Sequence, residues 1–199
     1  MDPTVGDEAR ILIVCTGNIC RSPFIERLLQ HELDQRGCGS DGGVIVRSAG
    51  TGALVGSAMD PQSAAQLVAY GGDPSGFTAR ALTPALLAES DLVLTATRVH
   101  RGKVALMFPK ALRRVFTLRD FADLVSGTDW PDDPVSRTDP RAWVRKVTEK
   151  AAASRGLRPP LTPDAADIVD PYRLEDAVFA TMAQQIGESM PAVVRALAG

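Results

Sequence analysis

Short apolar runs alternate with stretches of helical periodicity along the first two-thirds of the chain. Four runs have the length and composition of buried strands: Ile11–Val14, Val44–Val46, Asp91–Thr95 and Val115–Thr117. Apolar residues recur at helical spacing directly after the first run, at Phe24, Ile25, Leu28 and Leu29. This alternation predicts an α/β fold, a single-domain, doubly wound four-stranded parallel sheet with flanking helices.

Turn and cap residues predict where later helices begin. The pairs Asp60-Pro61 and Thr83-Pro84 are typical of a helix start. A further helix is predicted over Val99–Met107. The longest helical pattern runs from Leu174 to Leu197, and we expect Pro191 to kink or break it.

The segment 125–166 differs from the rest of the chain because Pro, Asp, Ser and Thr are concentrated at both of its ends. Its middle, Trp143–Ala153, is compatible with one helix. We interpret 125–166 as a partly mobile surface insertion in a single domain spanning residues 1–199.

Composition excludes several classes of function. The chain has 199 residues, of which 45% are hydrophobic, and a net charge of -2, so no bulk positive field favours nucleic acid. Its first ten residues lack the basic and apolar runs of a signal peptide, and no apolar stretch approaches the ~20 residues of a membrane span, so we expect no membrane insertion. Three cysteines without metal-ligand spacing favour a reducing cytoplasm and predict neither a metal nor a cofactor.

Candidate chemistry is concentrated between the first strand and the first helix. Ser22-Pro23 is typical of an N-cap and first turn, and free N–H groups at a helix start attract anions. A cysteine there, Cys15, is favoured as a thiolate nucleophile. Gly17 and Asn18 suit the unusual backbone angles of an anion-binding loop, and Arg21 supplies a fork for two phosphate oxygens. A buried structural cysteine is the alternative, and the fixed offsets of these residues argue against it.

Attack of a thiolate on a phosphate monoester also needs an acid to protonate the leaving oxygen. The best candidate is Asp170 in Asp170-Pro171-Tyr172, where the proline fixes the turn and Tyr172 can wall an aromatic substrate. Asp167 is a weaker alternative acid.

Three motifs carry a resemblance to a known family. CTGNICRSP, SAGTGALVG and the late DPY resemble the low-molecular-weight protein tyrosine phosphatases, over roughly residues 9–124 and 167–197. The resemblance implies that Cys15 forms a phosphocysteine and that Asp170 first donates a proton and then activates water. It also implies a set of residues around the phosphate or substrate: Thr16, Gly17, Asn18, Ile19, Cys20, Arg21, Ser22, Leu54 and Tyr172.

The same resemblance implies supporting roles around the loop. Asn18, Ser22 and Ser48 match positions that hold the loop in shape, and Ser22 would also aid departure of the thiolate. Cys20 matches a second loop cysteine that captures oxidised Cys15 in relatives, with simple packing as an equal alternative. Phe77 stands where relatives often carry a histidine bonded to the loop asparagine, so either Asn18 finds another partner or the alignment slips there.

The substrate is predicted from the pocket walls. Leu54 and its neighbours resemble the bacterial enzymes paired with tyrosine autokinases of capsule and exopolysaccharide export. Arg173 either meets acidic residues beside a phosphotyrosine or is an ordinary solvated residue. We expect a protein-tyrosine phosphatase that is a monomer or weak dimer. The alternatives are a protein-arginine phosphatase, disfavoured by Ile19, an arsenate reductase, which needs further cysteines, and an inactive phosphate-binding module.

Overall fold

A four-stranded parallel sheet organises the molecule, which we describe from a computed structural model covering residues 8–128, 130 and 138–199. The strands are Ala9–Cys15 (β1), Val44–Gly50 (β2), Leu92–Thr95 (β3) and Val115–Thr117 (β4). Their spatial order is β2-β1-β3-β4, and every neighbouring pair is parallel. The predicted α/β class and all four strands are confirmed, and β2 extends beyond its predicted apolar run because Ser48, Ala49 and Gly50 continue the pairing with β1.

Helices connect the strands and cover both faces of the sheet. They are Arg21–Gln35 (α1), Pro61–Ala69 (α2), Pro84–Glu89 (α3), Arg98–Met107 (α4), Leu118–Ser126 (α5), Pro140–Ser154 (α6), Pro163–Ala166 (α7) and Asp176–Ala198 (α8), with a short 3₁₀ helix at Pro109–Arg114. Asp60 and Thr83 cap α2 and α3 by accepting backbone N–H bonds, as their Asp-Pro and Thr-Pro pairs predict.

Alternate residues of β1 enter two different cores, which is the property of a strand covered on both faces. Ile11 and Ile13 belong to the larger core, to which α1, α5, α6 and α8 contribute. Leu12 and Val14 belong to the smaller core, to which α3 and α4 contribute. The sheet is therefore doubly wound, and its loops at the carboxyl ends of the strands are held from both sides.

Two local predictions are wrong. Ser22 is not the N-cap of α1, because the helix begins at Arg21 and Ser22 lies inside its first turn with its hydroxyl facing the preceding loop. A break at Pro191 is also wrong, because the last helix continues to Ala198, whereas a kink at this residue stays a prediction. The buried residues that flank the proline, Met190 and Val193, pack in the larger core, and this packing outweighs one missing backbone bond.

Helix α6 lies within the segment predicted as a surface insertion, yet one of its faces is in the core. Trp143 is buried, donates its indole N–H to the Ala196 carbonyl at 3.1 Å and packs edge-on against Trp130. At the start of β3, the buried Asp91 binds Arg141 and Arg145 of α6. This part of the segment is thus docked on the domain. Residues 129 and 131–137 of the same segment lie outside the described residues, and the insertion as a whole stays a prediction.

None of the helices in the described ranges combines the length and the apolar character needed to cross a membrane.

Candidate active site

A small cavity opens at the carboxyl end of β1, where the sequence places its phosphate-binding loop. Its volume is about 150 Å³. It is lined by residues of the loop, of the segment after β2 and of the late Asp-Pro-Tyr turn: Cys15, Thr16, Gly17, Ile19, Cys20, Arg21, Gly52, Leu54, Asp170 and Tyr172. Three segments that are far apart in the chain therefore meet around Cys15. Gly52 is the lining residue that the sequence analysis did not single out.

The backbone of the loop after β1 is turned so that its carbonyl groups point away from the cavity. The carbonyls of Cys15, Thr16 and Gly17 accept hydrogen bonds of 2.9–3.0 Å from residues 51, 52 and 54, respectively. The Ile19 carbonyl accepts one of 2.9 Å from Asp60. Because a trans peptide places its N–H opposite its C=O, the N–H groups of this loop face inward. Inward N–H groups at the start of a helix make a concave site for an anion.

Gly50 makes this close pairing possible. A Cβ atom at this position would lie 2.3 Å from the Thr16 carbonyl oxygen and 3.0 Å from Ala53. Only a residue without a side chain allows the end of β2 to approach the loop this closely.

The Cys15 thiol lies at the bottom of the cavity and contacts the Ser22 hydroxyl at 2.9 Å. The amide nitrogen of Asn18 donates one hydrogen to Ser22 and the other to Ser48, at 2.9 and 2.8 Å. When Cys15 is a thiolate it has no hydrogen to donate, so the Ser22 hydroxyl is then the donor of this contact and stabilises the negative sulfur. Asn18 and Ser22 are fully buried behind the loop, so their side chains support it and do not line the cavity.

The orientation of Asn18 is fixed from the other side. Its carbonyl oxygen accepts the backbone N–H of Arg80 at 2.8 Å, which supplies the partner that Phe77 at the histidine position cannot. Asn18 has a φ of 55°, a left-handed conformation that asparagine tolerates better than most residues. Phe77 itself is buried in the larger core beneath the Arg27 guanidinium.

The hydrogen-bonded network continues to a buried acid that the sequence analysis missed. Ser48 donates to the Glu26 carboxylate at 2.5 Å. Burial is the main cause that raises the pKa of Glu26 above its ordinary value. Glu26 lies four residues after Ser22, one helical turn further along α1. This i, i+4 spacing could have predicted from the sequence that both side chains face the loop.

Arg21 and Asp170 form an ion pair at the mouth of the cavity. The Nη2 atom of Arg21 lies 2.7 Å from the Asp170 carboxylate, and its Nη1 reaches the Ile168 carbonyl at 3.4 Å. Within the described residues, the buried Nε of Arg21 has no hydrogen-bond partner. The Arg21 side chain is 5% exposed and that of Asp170 is 55% exposed, so the carboxylate is the partner that is free to move.

Asp167, the alternative acid, is engaged elsewhere. Its carboxylate accepts the backbone N–H of Arg98 at 2.8 Å and lies 3.5 Å from that residue's guanidinium. Asp167 does not line the cavity and instead holds the late turn against the start of α4.

His100 was not singled out from the sequence, although it supports the loop. Its Nε2 lies 2.8 Å from the Thr16 hydroxyl, and its Nδ1 lies 2.7 Å from the Thr97 hydroxyl. Burial, together with the charges of Arg21 and Lys103, lowers its pKa to about 4. The ring is therefore neutral at pH 7 and links α4 to the loop by hydrogen bonds.

The second loop cysteine differs from the first in its environment. Burial, followed by the charge of Asp60, raises the pKa of Cys20 to about 12. Cys20 is thus a neutral thiol at physiological pH and a poor nucleophile in this conformation. All three cysteines are free thiols.

Comparison with known proteins gives the family. The model of the family "Low molecular weight phosphotyrosine protein phosphatase" matches residues 10–154. The low molecular weight protein-tyrosine-phosphatase Wzb of Salmonella typhi is 36% identical over 143 residues, which are 72% of this chain and 89% of the relative. The probable phosphatase EpsP of Ralstonia nicotianae is 37% identical over 108 residues, 54% of this chain and 69% of the relative.

Solved structures show the same fold. Vibrio vulnificus Wzb in complex with benzylphosphonate has a TM-score of 0.65 at 24% identity, covering 94% of this chain and 97% of that one. The YwlE arginine phosphatase from Geobacillus stearothermophilus has a TM-score of 0.64 at 25% identity, covering 94% and 90%. Asp170 lies beyond the residues matched by the family model, so its place at the site rests on the geometry. On the extent of the match, this chain belongs to the low molecular weight phosphotyrosine protein phosphatase family.

Proposed function

We propose that this protein hydrolyses phosphotyrosine in proteins through a cysteinyl-phosphate intermediate. The observation that carries the proposal is the arrangement around one small cavity. A thiol that receives a hydrogen bond lies at the bottom, inward N–H groups surround it, and Arg21 and Asp170 stand at the mouth. These groups correspond to a nucleophile, an oxyanion site, a phosphate clamp and an acid.

The first step transfers the phosphoryl group to sulfur. The phosphate dianion takes the place of the Asp170 carboxylate on Arg21, and its charge favours protonation of the displaced carboxyl. The Cys15 thiolate then forms a bond to phosphorus as the bond to the tyrosyl oxygen breaks. Asp170 gives its proton to that oxygen, so that tyrosine leaves as a neutral phenol.

The second step releases phosphate. Asp170, now a carboxylate, accepts a proton from a water molecule that attacks phosphorus. The sulfur–phosphorus bond breaks, and the electron pair returns to Cys15 as a thiolate. The hydrogen bond from Ser22 stabilises this leaving group, while Arg21 and the loop N–H groups hold the phosphate oxygens.

Apolar walls favour an aryl phosphate over a guanidinium phosphate. The cavity is lined by the aliphatic side chains of Ile19 and Leu54 and by the aromatic ring of Tyr172, all of which can contact the substrate. The likeness to the YwlE arginine phosphatase makes phosphoarginine the second candidate. A phosphoguanidinium group has N–H donors, and burying them against Ile19 without partners is unfavourable.

For the substrate protein, we propose a bacterial tyrosine kinase of polysaccharide export, supported by the small, aliphatic segment Gly52–Gly56 at the cavity wall. We place the protein in the cytoplasm because three free thiols, one of them the nucleophile, require a reducing compartment.

Replacement of the nucleophile tests the covalent mechanism. Cys15→Ser should abolish hydrolysis of p-nitrophenyl phosphate and retain binding of inorganic phosphate, since the loop N–H groups and Arg21 remain. The matched control is Cys38→Ser, a buried cysteine outside the cavity, which should keep the activity of the unchanged protein. Substantial hydrolysis by the Cys15→Ser protein would contradict the mechanism.

Replacement of the acid tests the assignment of Asp170. Asp170→Ala should slow hydrolysis of a phosphotyrosine peptide by about 10²–10⁴-fold, the usual contribution of general acid catalysis. The loss should be smaller with p-nitrophenyl phosphate, whose leaving group needs less protonation. Asp167→Asn is the control and should change the rate little. An unchanged rate in Asp170→Ala would assign the acid to another residue.

A side-by-side comparison of phosphotyrosine peptide, phosphoarginine peptide and arsenate tests the substrate class. We expect kcat/KM to be highest for phosphotyrosine. Faster turnover of either other compound would replace the proposed activity with that of the preferred substrate.

A further inference from the structure

A second, larger cavity lies at the end of the sheet opposite the catalytic loop. Its volume is about 800 Å³, and α3, the 3₁₀ helix and α6 surround it. Asp91 and Arg114, which line it, immediately precede β3 and β4, whereas Cys15 ends β1. Because the strands are parallel, the two cavities are at opposite edges of the sheet. Four cations, Lys110, Arg113, Arg114 and Arg145, line the second cavity, together with the acids Asp91 and Glu149.

The buried acid in this cavity is already fully engaged. The Oδ1 atom of Asp91 accepts from the Nε atoms of Arg141 and Arg145, at 3.1 and 2.7 Å. Its Oδ2 atom accepts the backbone N–H of Arg10 at 3.1 Å. The Asp91 side chain is only 2% exposed. Both oxygens of Asp91 are therefore occupied, and its ion pairs are with Arg141 and Arg145 rather than with Lys110, Arg113 or Arg114.

Three of the four cations have no ion pair among the described residues: Lys110, Arg113 and Arg114. Arg114 donates to the carbonyls of Leu87 and Ala88, which fixes its guanidinium at the cavity wall. Its buried Nε has no partner within the described part of the chain. Burial lowers the pKa of Arg114, and the charge of Asp91 opposes this shift.

We propose that this cavity, the cationic cleft, binds a small polyanion with two or more phosphate groups, of the size of a nucleoside diphosphate. The volume lies within the range of small-molecule sites. Arginine and lysine are the side chains that bind phosphate oxygens in proteins. The cleft needs α6 for one wall, so this helix has a binding role in addition to its place in the core.

Calorimetric titration with pyrophosphate and with ADP tests the proposal. The titrated protein carries Cys15→Ser and Arg21→Ala, so that turnover is abolished and anion binding at the catalytic loop is weakened. We expect one site, weakened about tenfold or more when Lys110→Ala and Arg113→Ala are added. Glu149→Gln should instead tighten binding, because it removes the one exposed carboxylate of the cleft. Tighter binding of ADP than of pyrophosphate would assign the nucleoside as part of the ligand, and equal binding would assign the phosphates alone.

The control variant removes the same amount of positive charge from a surface outside the cleft. Lys103→Ala with Arg36→Ala removes two exposed cations outside the cleft and should leave the affinity nearly unchanged. Absence of any binding at millimolar probe, or an equal loss in the control, would overturn the proposal. Should the Arg21→Ala protein fail to fold, the Cys15→Ser protein provides the same test. It should show two sites, one of which weakens about tenfold or more with Lys110→Ala and Arg113→Ala.

Discussion

At the scale of single residues, Asn18 determines the direction of every hydrogen bond behind the catalytic loop. Its oxygen accepts from the Arg80 backbone, so both amide hydrogens must go to the serines. The hydroxyl hydrogen of Ser48 goes to Glu26, and that of Ser22 is available to the Cys15 thiolate, which can only accept. The network thus provides the nucleophile with a donor whose direction is fixed before substrate binds.

Removal of that donor should affect the chemistry more than the fold. Ser22→Ala deletes a hydrogen bond to a charged sulfur, a contact of about 1.5–3 kcal/mol, so kcat should fall roughly 10- to 100-fold. Because the thiolate is the leaving group of the second step, phosphoenzyme should accumulate and give a burst of p-nitrophenol in rapid mixing.

The control for Ser22→Ala is Ser189→Ala in α8, another buried serine whose hydroxyl donates only to a helix carbonyl. We expect normal turnover from this variant. Equal turnover by both variants would show that the Ser22 hydrogen bond has no kinetic role.

At this scale, the residues proposed to carry the chemistry were predicted from the sequence, whereas the residues that support the loop were predicted less well. Cys15, Arg21 and Asp170 could be predicted because phosphoryl chemistry demands these groups at recognisable spacings. Glu26 and His100 could not, since a lone acid on a helix and a lone histidine after a capping threonine are usually ordinary surface or core residues. Only the fold shows that both reach the loop, through Ser48 and Thr16 respectively.

At the scale of elements, the end of β2 shapes the catalytic loop, because Gly50 has no side chain there. Gly50→Ala would force a Cβ into the Thr16 carbonyl, and either the loop or β2 would have to move. We expect a loss of about 1–3 kcal/mol in the free energy of unfolding and a larger relative loss of kcat/KM, because the inward N–H groups shift. Urea unfolding and steady-state kinetics measure the two effects.

Gly102 in α4 gives the matched comparison. A Cβ there meets nothing within 4 Å, so Gly102→Ala should stabilise the protein by about 0.5–1 kcal/mol and leave catalysis unchanged. If Gly50→Ala behaved like Gly102→Ala, close approach at β2 would not shape the loop.

Elements were predicted well where local and tertiary preferences agree, as in the four apolar strands and the capped helices α2 and α3. The prediction of an N-cap at Ser22 and that of a helix break at Pro191 failed for one reason. Each was derived from a local rule about helix ends, whereas a tertiary contact decided the outcome. Ser22 is required by Cys15, and the residues around Pro191 are required by the core.

At the scale of the whole molecule, the two ends of the sheet have different electrostatic character. The carboxyl end holds an arginine already paired with Asp170, and the amino end holds three cations without ion pairs among the described residues. The chain's net charge of -2 conceals this separation, which is why composition alone gave no hint of the cationic cleft.

Global stability should depend on pH through two buried groups near the catalytic loop that act with opposite signs. The pKa of His100 is lowered from 6.5 to about 4, so below pH 6.5 the unfolded chain takes up a proton that the folded chain refuses. Its contribution to stability is present above pH 6.5 and is lost as the pH falls toward 4. The pKa of Glu26 is raised above 4.5, so its contribution is present below 4.5 and is lost as the pH rises through the raised value.

Urea unfolding of matched variants at a series of pH values separates these contributions. Between pH 6.5 and 4, His100→Gln should lose less stability than the unchanged protein, because its side chain cannot bind a proton. Glu26→Gln keeps an acceptor for Ser48 without a buried charge, so its stability relative to the unchanged protein should be greatest at neutral pH and should shrink toward pH 4.5. The slopes are compared rather than the absolute values, since each substitution also changes packing. Parallel curves for all three proteins would mean that neither buried group titrates differently in the folded and unfolded chains.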